Sequence, residues 1–476
     1  MNAVRALLGL LVLGLVGPLA AADRPPNIVF VLADDLGWTD LGCFGSRYYE
    51  TPNIDRLAAQ GMRLTNHHHC QNCAPTRSAL LSGQYGARTG TYTVGGIDRF
   101  DWRTRPLRPV DNVTKLSLER DTFANQLKKA GYATAMFGKW HLGLTEPHWP
   151  ERQGFDVFFG YYDQKHAHDY YTDHLVRNGV DVPQPQSGKR SWEDYSHTRI
   201  ADETLKFIEQ NKDRPFFCYA AWTPPHGDFV IPENPVFGQK AWTEEVRNYA
   251  AMVALVDRDV GRLMKKLKDL GIDEKTLVVF SSDNGANLEF IESLGSTGGL
   301  RGYKRMLYEG GTRTPFIARW PGKIQPSTTS DLLTSSVDFL PTAAELSGVP
   351  GPKGLDGHSI VPTLLGKGQQ VVHASLYFEI YEPYFQQAVR MGDWKGYRLG
   401  TKAPLELYDL KSDPAEKQNI AAAHPDIVKR IEAIMTAEHT PSPYYDAPEQ
   451  GKARASKAKK KASLPELLNE ESTKSK

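Results

Sequence analysis

Four short apolar runs, each ending in polar and reactive side chains, limit most strictly what this 476-residue sequence can fold into. They cover residues 27–33, 134–140, 216–222 and 276–282. A nearly continuous apolar run of this length is typical of a parallel strand that is buried on both faces. Helical segments at 53–60, 121–130 and 243–270 separate the runs. The alternation predicts an α/β fold, with a large, mostly parallel sheet sandwiched by helices.

The polar side chains at the ends of the four runs are candidates for one common site. In open α/β sheets the ligand crevice lies at the carboxyl ends of the strands, so we expect these strand ends to converge. The side chains concerned are Asp34, Asp35, Lys139, His141, His226, Asp283 and Asn284.

Beyond about residue 350 the pattern changes to shorter runs, at 375–380, 388–398 and 405–410, followed by a helical segment at 425–435. These segments predict a smaller antiparallel sheet with one covering helix. We therefore divide the chain into a catalytic domain over residues 23–350 and a C-terminal subdomain over residues 351–450.

The two ends of the chain have compositions of their own. Residues 1–22 combine Arg5, an apolar run and three alanines before Asp23, which is typical of a cleaved secretory signal peptide. No stretch reaches the roughly 20 apolar residues of a membrane span, so we expect an exported periplasmic or extracellular protein without stable membrane insertion. Residues 451–476 are rich in Lys, Ala and Ser and lack aromatic residues, which predicts a basic, disordered tail.

Charge and cysteine content exclude other classes of protein. The chain has 57 Lys and Arg against 56 Asp and Glu, so no overall field attracts nucleic acid, and we expect no nucleic-acid partner. Four cysteines are too few for a disulfide scaffold in a chain of this length, although an oxidising compartment would permit one disulfide bridge. They are Cys43, Cys70, Cys73 and Cys218.

Cys73 begins the segment Cys73-Ala74-Pro75-Thr76-Arg77, which runs into a short helical pattern. At a helix N-terminus a thiol faces backbone N–H donors and the positive end of the dipole, which lowers its pKa. Arg77 adds a planar, permanent positive charge. These residues indicate an anion-facing, reactive cysteine, and a buried structural cysteine is the alternative.

Several segments resemble the type I, formylglycine-dependent sulfatases of the alkaline phosphatase superfamily. Cys73 to Arg77 resembles their C-x-P-x-R signature, and residues 138–143 read G-K-W-H-L-G, as in that family. Residues 300–304 and 308–311 resemble its L-R-G-x-K and Y-E-G-G elements, and residues 407–410 resemble its C-terminal L-Y-D-L. The resemblance covers nearly the whole chain after residue 26.

The resemblance implies a modified nucleophile and a metal ion. A formylglycine-generating enzyme would oxidise Cys73 to formylglycine (3-oxoalanine), whose hydrate attacks sulfur and later expels sulfate. Calcium, in preference to magnesium, would be bound by oxygen atoms. The implied ligands are Asp34, Asp35, Asp283, Asn284 and the formylglycine made from Cys73.

The resemblance also implies a role for each remaining residue. Arg77, Lys139 and Lys304 would supply positive charge to the sulfate, and Lys304 would assist the leaving group. His141 would act as the general base on the formylglycine, and His226 would protonate the leaving alcohol.

We expect the substrate to be a sulfated carbohydrate, because the chain is exported and 10% of its residues are aromatic. Candidate substrate-binding residues are His148, His166, Asp228 and Arg301, and Tyr162 and His168 are further candidates for the pocket. Many family members carry a Ser or His after the segment that resembles Gly154-Phe155-Asp156. That residue contacts the sulfate or the substrate, and its counterpart does not align here. The alternatives are a formylglycine-dependent phosphodiester or phosphonate monoester hydrolase and a non-catalytic protein that binds sulfated glycans.

Overall fold

The computed structural model describes residues 24–96, 109–382 and 384–440. Its strands are β1 (Asn27–Asp34), β2 (Met62–Leu64), β3 (His67–His68), β4 (Ala133–Lys139), β5 (Val157–Tyr161), β6 (His174–Arg177), β7 (Val180–Pro183), β8 (Phe216–Pro225), β9 (Thr276–Ser282), β10 (Phe316–Arg319), β11 (Thr328–Ser330), β12 (Thr334–Ser335), β13 (Leu376–Ile380), β14 (Gln386–Met391), β15 (Trp394–Leu399) and β16 (Glu406–Asp409). Ten strands form one sheet in the order β11-β2-β10-β9-β1-β8-β4-β5-β6-β7. Four form a second sheet in the order β13-β14-β15-β16, and β3 pairs with β12.

The helices lie on both faces of the large sheet and on the small one. They are α1 (Pro52–Ala59), α2 (Cys73–Ser82), α3 (Gly86–Thr89), α4 (Phe123–Lys129), α5 (Gln164–His168), α6 (Ser196–Gln210), α7 (Glu244–Asp269), α8 (Ile291–Leu294), α9 (Glu309–Thr312), α10 (Phe339–Ser347), α11 (Val361–Leu365) and α12 (Pro425–Glu438).

The four strands predicted from the apolar runs lie side by side at the centre of the large sheet. Their order is β9-β1-β8-β4, and every neighbouring pair is parallel. All their residues are buried, as expected for strands with helices on both faces. Antiparallel strands are added outside this centre, with β10 beside β9, and β6 and β7 beyond β5. The predicted α/β class is confirmed, and the sheet as a whole is mixed.

Alternate residues of β1 face opposite layers of helices. Val29 and Val31 join the apolar cluster of α1, α6 and α7, whereas Ile28 and Phe30 join that of α2, α4 and α10. Full burial of an aliphatic or aromatic side chain stabilises the fold by about 1.5–3 kcal/mol. The predicted apolar stripe on α7 is confirmed, since all its members are buried: Val246, Tyr249, Val253, Val256, Val260, Leu263 and Leu267.

The small sheet lies in the predicted C-terminal region and is antiparallel throughout. The predicted run 388–398 is divided into two strands by a turn at Gly392, whose φ of 59° is left-handed. Helix α12 covers this sheet, and a Cβ added to Gly396 would lie 2.5 Å from Ile431 Cγ2. The predicted small sheet with one covering helix is confirmed.

Other predictions about the chain's organisation stay predictions. The signal peptide at 1–22 and the tail at 451–476 lie outside the described residues. The boundary between the two domains near residue 350 is likewise a prediction. Of the helices in the described part of the chain, none combines the length and the apolar character that a membrane span requires.

Candidate active site

Two pairs of polar residues meet at the carboxyl edge of the large sheet. Asp34 ends β1, and Asp283 and Asn284 follow β9, the strand beside it. Asp35 has a left-handed φ of 63°, and its backbone N–H donates to Asp283 Oδ1 over 3.2 Å. The Asn284 amide donates to Asp35 Oδ1 over 2.7 Å. All four side chains are fully buried, so the structure brings four oxygen-bearing groups together away from water.

Cys73 is the first residue of α2, and its thiol faces these carboxylates. Asn72 caps the helix, because its side chain accepts a hydrogen bond from the Cys73 N–H over 3.2 Å. Cys73 Sγ donates to Asp34 Oδ1 over 3.4 Å, and the side chain is fully buried. The cysteine therefore lies at a helix N-terminus, as predicted, and it contacts the carboxylate at the end of β1.

The expected low pKa of this thiol is wrong. Burial raises the pKa of Cys73, and the charge of Asp34 raises it further. A helix N-terminus stabilises an anion by only about 0.3–2 kcal/mol, and here the lost hydration and the adjacent negative charge outweigh it. Burial and Asp34 therefore both favour the protonated form of the unmodified thiol.

Arg77 joins the two carboxylates that end neighbouring strands. Its Nη2 donates to Asp34 Oδ2 over 3.0 Å and to Asp283 Oδ2 over 2.9 Å, and its Nη1 donates to the Lys139 carbonyl over 2.8 Å. The side chain is 1% exposed. Because its two terminal nitrogens are used in this way, Arg77 holds the carboxylates in position.

Lys139 and Lys304 each bind one member of the aspartate pair. Lys139 is the last residue of β4, and its Nζ lies 2.6 Å from Asp34 Oδ2. Lys304 Nζ lies 2.7 Å from Asp35 Oδ2. Both lysines are buried, so their charges are weakly screened and would act strongly on an anion that enters the site.

The three aspartates differ in their pKa. Burial acts to raise the pKa of Asp34, but the charges of Lys139 and other cations outweigh it and hold the pKa well below its usual value. The pKa of Asp35 is also lowered. Burial acts to raise it, but charge interactions, chiefly with His226, outweigh burial. Burial and the charge of Asp34 raise the pKa of Asp283 to about 7. A divalent cation among the three would stabilise all their ionised forms.

The donor set fits such a cation. Asp34, Asp35, Cys73 and His226 each offer one ligand atom, and these atoms lie within 4.8 Å of one another. Asn284 Oδ1 is buried and accepts no hydrogen bond within the described residues. Buried carboxylate and amide oxygens are the ligands that calcium and magnesium prefer.

The rings of His226 and His168 pack against each other beside this cluster, tilted by 40°. His226 Nε2 lies 3.0 Å from Asp35 Oδ2, and the Tyr170 hydroxyl donates to the His226 carbonyl. The His168 ring centroid lies 4.2 Å from that of His226, and its Nε2 is buried without a hydrogen-bond partner among the described residues. Burial, reinforced by the charge of His226, lowers the pKa of His168, so its ring is neutral.

His168 follows the segment Gly154-Phe155-Asp156, after which the sequence left one family position unaligned. It ends α5, which follows β5, and β5 is the next strand beyond β4 in the sheet. The signal was present in the sequence, because residues 157–161 form a fifth apolar run that also ends in polar residues. Only the strand order shows that this run reaches the same edge.

His141 is the second residue after β4. Its φ of 66° is left-handed, and its N–H donates to the Tyr162 carbonyl over 3.2 Å. The side chain is partly exposed. The backbone therefore turns at this residue immediately beyond Lys139, and its role as a general base stays a prediction.

The four candidate substrate-binding residues lie in different environments. His148 Nδ1 lies 2.9 Å from the Leu116 carbonyl oxygen. His166 Nε2 lies 2.8 Å from Thr172 Oγ1. Arg301 donates to the Tyr408 hydroxyl over 2.8 Å and lies over the Tyr308 ring. Asp228 is exposed. It follows His226 by two positions, so of the four candidates it lies nearest in sequence to a residue of the cluster.

Hydrogen bonds that the sequence did not predict support the turn at Asp35. Tyr249 on α7 donates to the Asp35 carbonyl over 3.2 Å and to Asp40 Oδ2 over 2.6 Å. Asn287 donates to Asp35 Oδ2 over 2.9 Å. Because these partners lie more than 200 residues from Asp35, no local pattern in the sequence identifies them.

Comparisons with known proteins agree with this geometry. Residues 26–349 match the family described as Sulfatase, and residues 301–440 match the family described as N-sulphoglucosamine sulphohydrolase, C-terminal. Arylsulfatase A of Homo sapiens is 34% identical over 494 residues, which cover 91% of each chain. N-acetylgalactosamine-6-sulfatase of Canis lupus familiaris is 35% identical over 468 residues, which cover 87% of this chain and 86% of the relative. The crystal structure of Ps i-CgsB in complex with k-i-k-neocarrahexaose has a TM-score of 0.77 at 26% identity, and covers 91% of this chain and 98% of that chain.

Proposed function

The chain belongs to the sulfatase family and is a sulfuric ester hydrolase, and we propose that it removes sulfate from a sulfated carbohydrate through a formylglycine made from Cys73 and a bound calcium ion. One observation carries the proposal. Cys73 is the first residue of a buried helix, and its Sγ lies 3.4 Å from Asp34 Oδ1, within a cluster of three carboxylates and three cations. The names of the relatives support the substrate class, since one acts on N-acetylgalactosamine 6-sulfate and one is bound to an oligosaccharide.

The modified residue and the metal ion would supply the chemistry that unmodified side chains lack. Formylglycine, once formed and hydrated, supplies one hydroxyl that attacks sulfur and a second that allows sulfate to be released. Calcium, when bound by Asp34, Asp35, Asp283 and Asn284, supplies a Lewis acid for the sulfate oxygens. The raised pKa of the Cys73 thiol supports this proposal, because the thiol itself is a weak nucleophile.

Lys139 and Lys304 would bind the sulfuryl group. The Nζ atom of Lys139 lies at Asp34, and that of Lys304 lies at Asp35. Negative charge grows on the sulfuryl oxygens and on the leaving oxygen in the transition state, and fixed buried cations stabilise it without reorganisation.

Proton transfer is assigned to the two histidines that follow strand ends. His226, whose Nε2 lies 3.0 Å from Asp35 Oδ2, would donate a proton to the leaving alcohol. His141 would remove the proton from the remaining hydroxyl. The neutral ring of His168 packs on His226 and would exclude water from this side of the leaving group.

The proposal is tested on the purified protein by two measurements. Peptide mass analysis of the segment around Cys73 should show the thiol replaced by an aldehyde. Sulfate release should then exceed phosphate release on matched esters, and a panel containing N-acetylgalactosamine 6-sulfate and carrageenan oligosaccharides should include a preferred substrate. Fully active protein with an unmodified Cys73, or faster turnover of a phosphonate monoester, would contradict the proposal.

Export is part of the same proposal and depends on residues 1–22, outside the described part of the chain. N-terminal sequencing of the protein recovered from its native host should begin near Asp23. A mature protein that retains Met1 in the cytoplasm would contradict it.

A further inference from the structure

Gln386 connects the small sheet to the loop that carries Lys304. It is the first residue of β14 and is fully buried. Its Nε2 donates to the Arg305 carbonyl over 3.1 Å. Its Oε1 accepts from the Leu307 N–H over 3.3 Å and from the Tyr397 hydroxyl over 3.2 Å. One side-chain amide thus satisfies two backbone groups of the loop, as a neighbouring strand would.

The loop is also held from the side of the active site. The Lys304 N–H donates to the Ala286 carbonyl over 2.9 Å, and the Arg305 N–H donates to the Gln71 carbonyl over 2.8 Å. Gln71 lies two residues before Cys73. The loop is therefore fixed between the nucleophile segment on one side and Gln386 on the other.

Arg305 occupies a backbone conformation that it would not adopt by itself. Its φ is 75°, in the left-handed region that residues other than glycine rarely occupy. Such a conformation persists only where the surrounding structure enforces it. Here the enforcing contacts are the hydrogen bonds to Gln71 and Gln386. If the contact to Gln386 is removed, residue 305 can relax, and the adjacent Lys304 would move with it.

We propose that Gln386 is a positioning residue, which acts through the backbone of residues 305–307 to fix Lys304 Nζ where it meets the leaving oxygen. The inference rests on the proposed function, in which Lys304 assists departure of the alcohol. Gln386 does not touch the substrate itself. It gives the small sheet a part in the reaction, because a misplacement of about 1 Å in a catalytic group can lower the rate about 10²-fold.

The test compares Gln386→Met with a matched control, Gln387→Met. Gln387 is the next residue of β14 and is also buried. Its Nε2 donates to the Tyr377 hydroxyl over 2.8 Å, and its Oε1 accepts from Arg398 Nη2 over 3.1 Å. Both substitutions remove a buried amide from the same strand, but only Gln386 contacts the loop that carries Lys304. The probes are 4-nitrophenyl sulfate and phenyl sulfate, whose leaving groups differ in acidity.

Lys304 should matter most for the more basic leaving group. We expect Gln386→Met to lower kcat for phenyl sulfate about 10²-fold and for 4-nitrophenyl sulfate less than about tenfold. Gln387→Met should change both rates equally or not at all. In a Lys304→Ala background, Gln386→Met should add no further loss that depends on the leaving group, since both changes remove one interaction.

A second variant keeps the test decisive if Gln386→Met does not fold. Gln386→Glu retains the shape and the acceptor for Leu307, and its ionised form has no donor for Arg305, so at a pH where it is ionised it should give the same pattern. Equal losses on both esters, additive losses with Lys304→Ala, or the same pattern in Gln387→Met would overturn the inference. Failure of the wild type on every sulfate ester would instead contradict the proposed function, which is a separate outcome.

Discussion

The active-site edge and the junction between the two sheets both bury acidic and basic side chains, but they balance them differently. At the junction, Glu309 lies 3.0 Å from Lys395 Nζ and 3.5 Å from Arg390 Nη1. Both cations belong to the small sheet, whereas Glu309 begins α9. Burial acts to raise the pKa of Glu309, but these charges outweigh it and hold the pKa well below its usual value.

At the active-site edge, three carboxylates lie together and compete for the same cations. Asp34 and Asp35 are ionised, whereas the pKa of Asp283 is raised to about 7 by burial and by Asp34. Asn284 also presents a buried oxygen that accepts no hydrogen bond within the described residues. The junction pairs Glu309 with two cations of the small sheet, whereas the edge gathers three carboxylates and an amide oxygen, the donor set that a divalent cation prefers. This difference separates a structural ion cluster from a functional one, and the following variants test it.

The largest expected effect is the loss of turnover in Cys73→Ala. We expect kcat to fall by about 10⁴-fold or more, because the nucleophile is removed. The fold should persist, since α2 keeps its Asn72 cap and its buried contacts. Asp283→Ala should also abolish turnover while the chain stays folded. Sulfate release and thermal unfolding measure the two quantities, and wild-type turnover by either purified variant would contradict the assignment.

Glu309→Ala should mainly lower the stability of the fold, in contrast to Cys73→Ala, which should mainly lower turnover. It leaves Lys395 and Arg390 buried without their main partner, which should lower the free energy of unfolding by about 3–5 kcal/mol. Glu289→Ala is the control, because this glutamate is exposed and its loss should change stability by less than about 0.5 kcal/mol. Urea unfolding measures both. Equal stabilities would show that the junction is not a structural cluster.

Calcium should stabilise the protein through the edge and not through the junction. A ligand at about 100 times its Kd stabilises the folded state by about 2.7 kcal/mol, so added calcium should raise Tm. Asp283→Ala should lose most of this shift. Glu416 belongs to the junction, since its Oε1 lies 4.0 Å from Lys395 Nζ, and Glu416→Gln should retain the shift. A chelator should remove both the shift and the activity. The same calcium shift in Asp283→Ala and the wild type would place the ion elsewhere.

The sequence predicted the centre of the fold because its signals are local. Each central strand is a continuous apolar run whose end carries polar side chains, so both its burial and its contribution to the edge can be read within about ten residues. The run 388–398 was harder to interpret, because only two residues, Gly392 and Asp393, separate two strands there. His168 was not assigned to the core of the site, because the position of β5 beside β4 depends on the strand order.

Other features depend on contacts between residues that are far apart in the sequence. Gln386 contacts a residue 81 positions earlier in the chain, and the Glu309 partner Lys395 is 86 positions away. Such contacts arise from the docking of the small sheet on the large one. The raised pKa of Cys73 likewise depends on burial and on Asp34, and the helix position alone suggested the reverse.

Glu416→Gln offers the finest comparison, because it removes a titrating carboxyl from the junction without altering its shape. Burial and the charge of Glu309 raise the pKa of Glu416 to about 8, from an ordinary value of 4.5. The stability contributed by its protonated form is complete below pH 4.5 and is lost as the pH rises through 8. Glutamine keeps the acceptor for the Glu309 N–H, which lies 2.8 Å from Glu416 Oε2, but it cannot ionise. Between about pH 7 and pH 9 the wild type should therefore lose about 1.4 kcal/mol of unfolding free energy relative to the variant, measured by urea unfolding. Parallel pH profiles for the two proteins would show that the junction carries no buried proton.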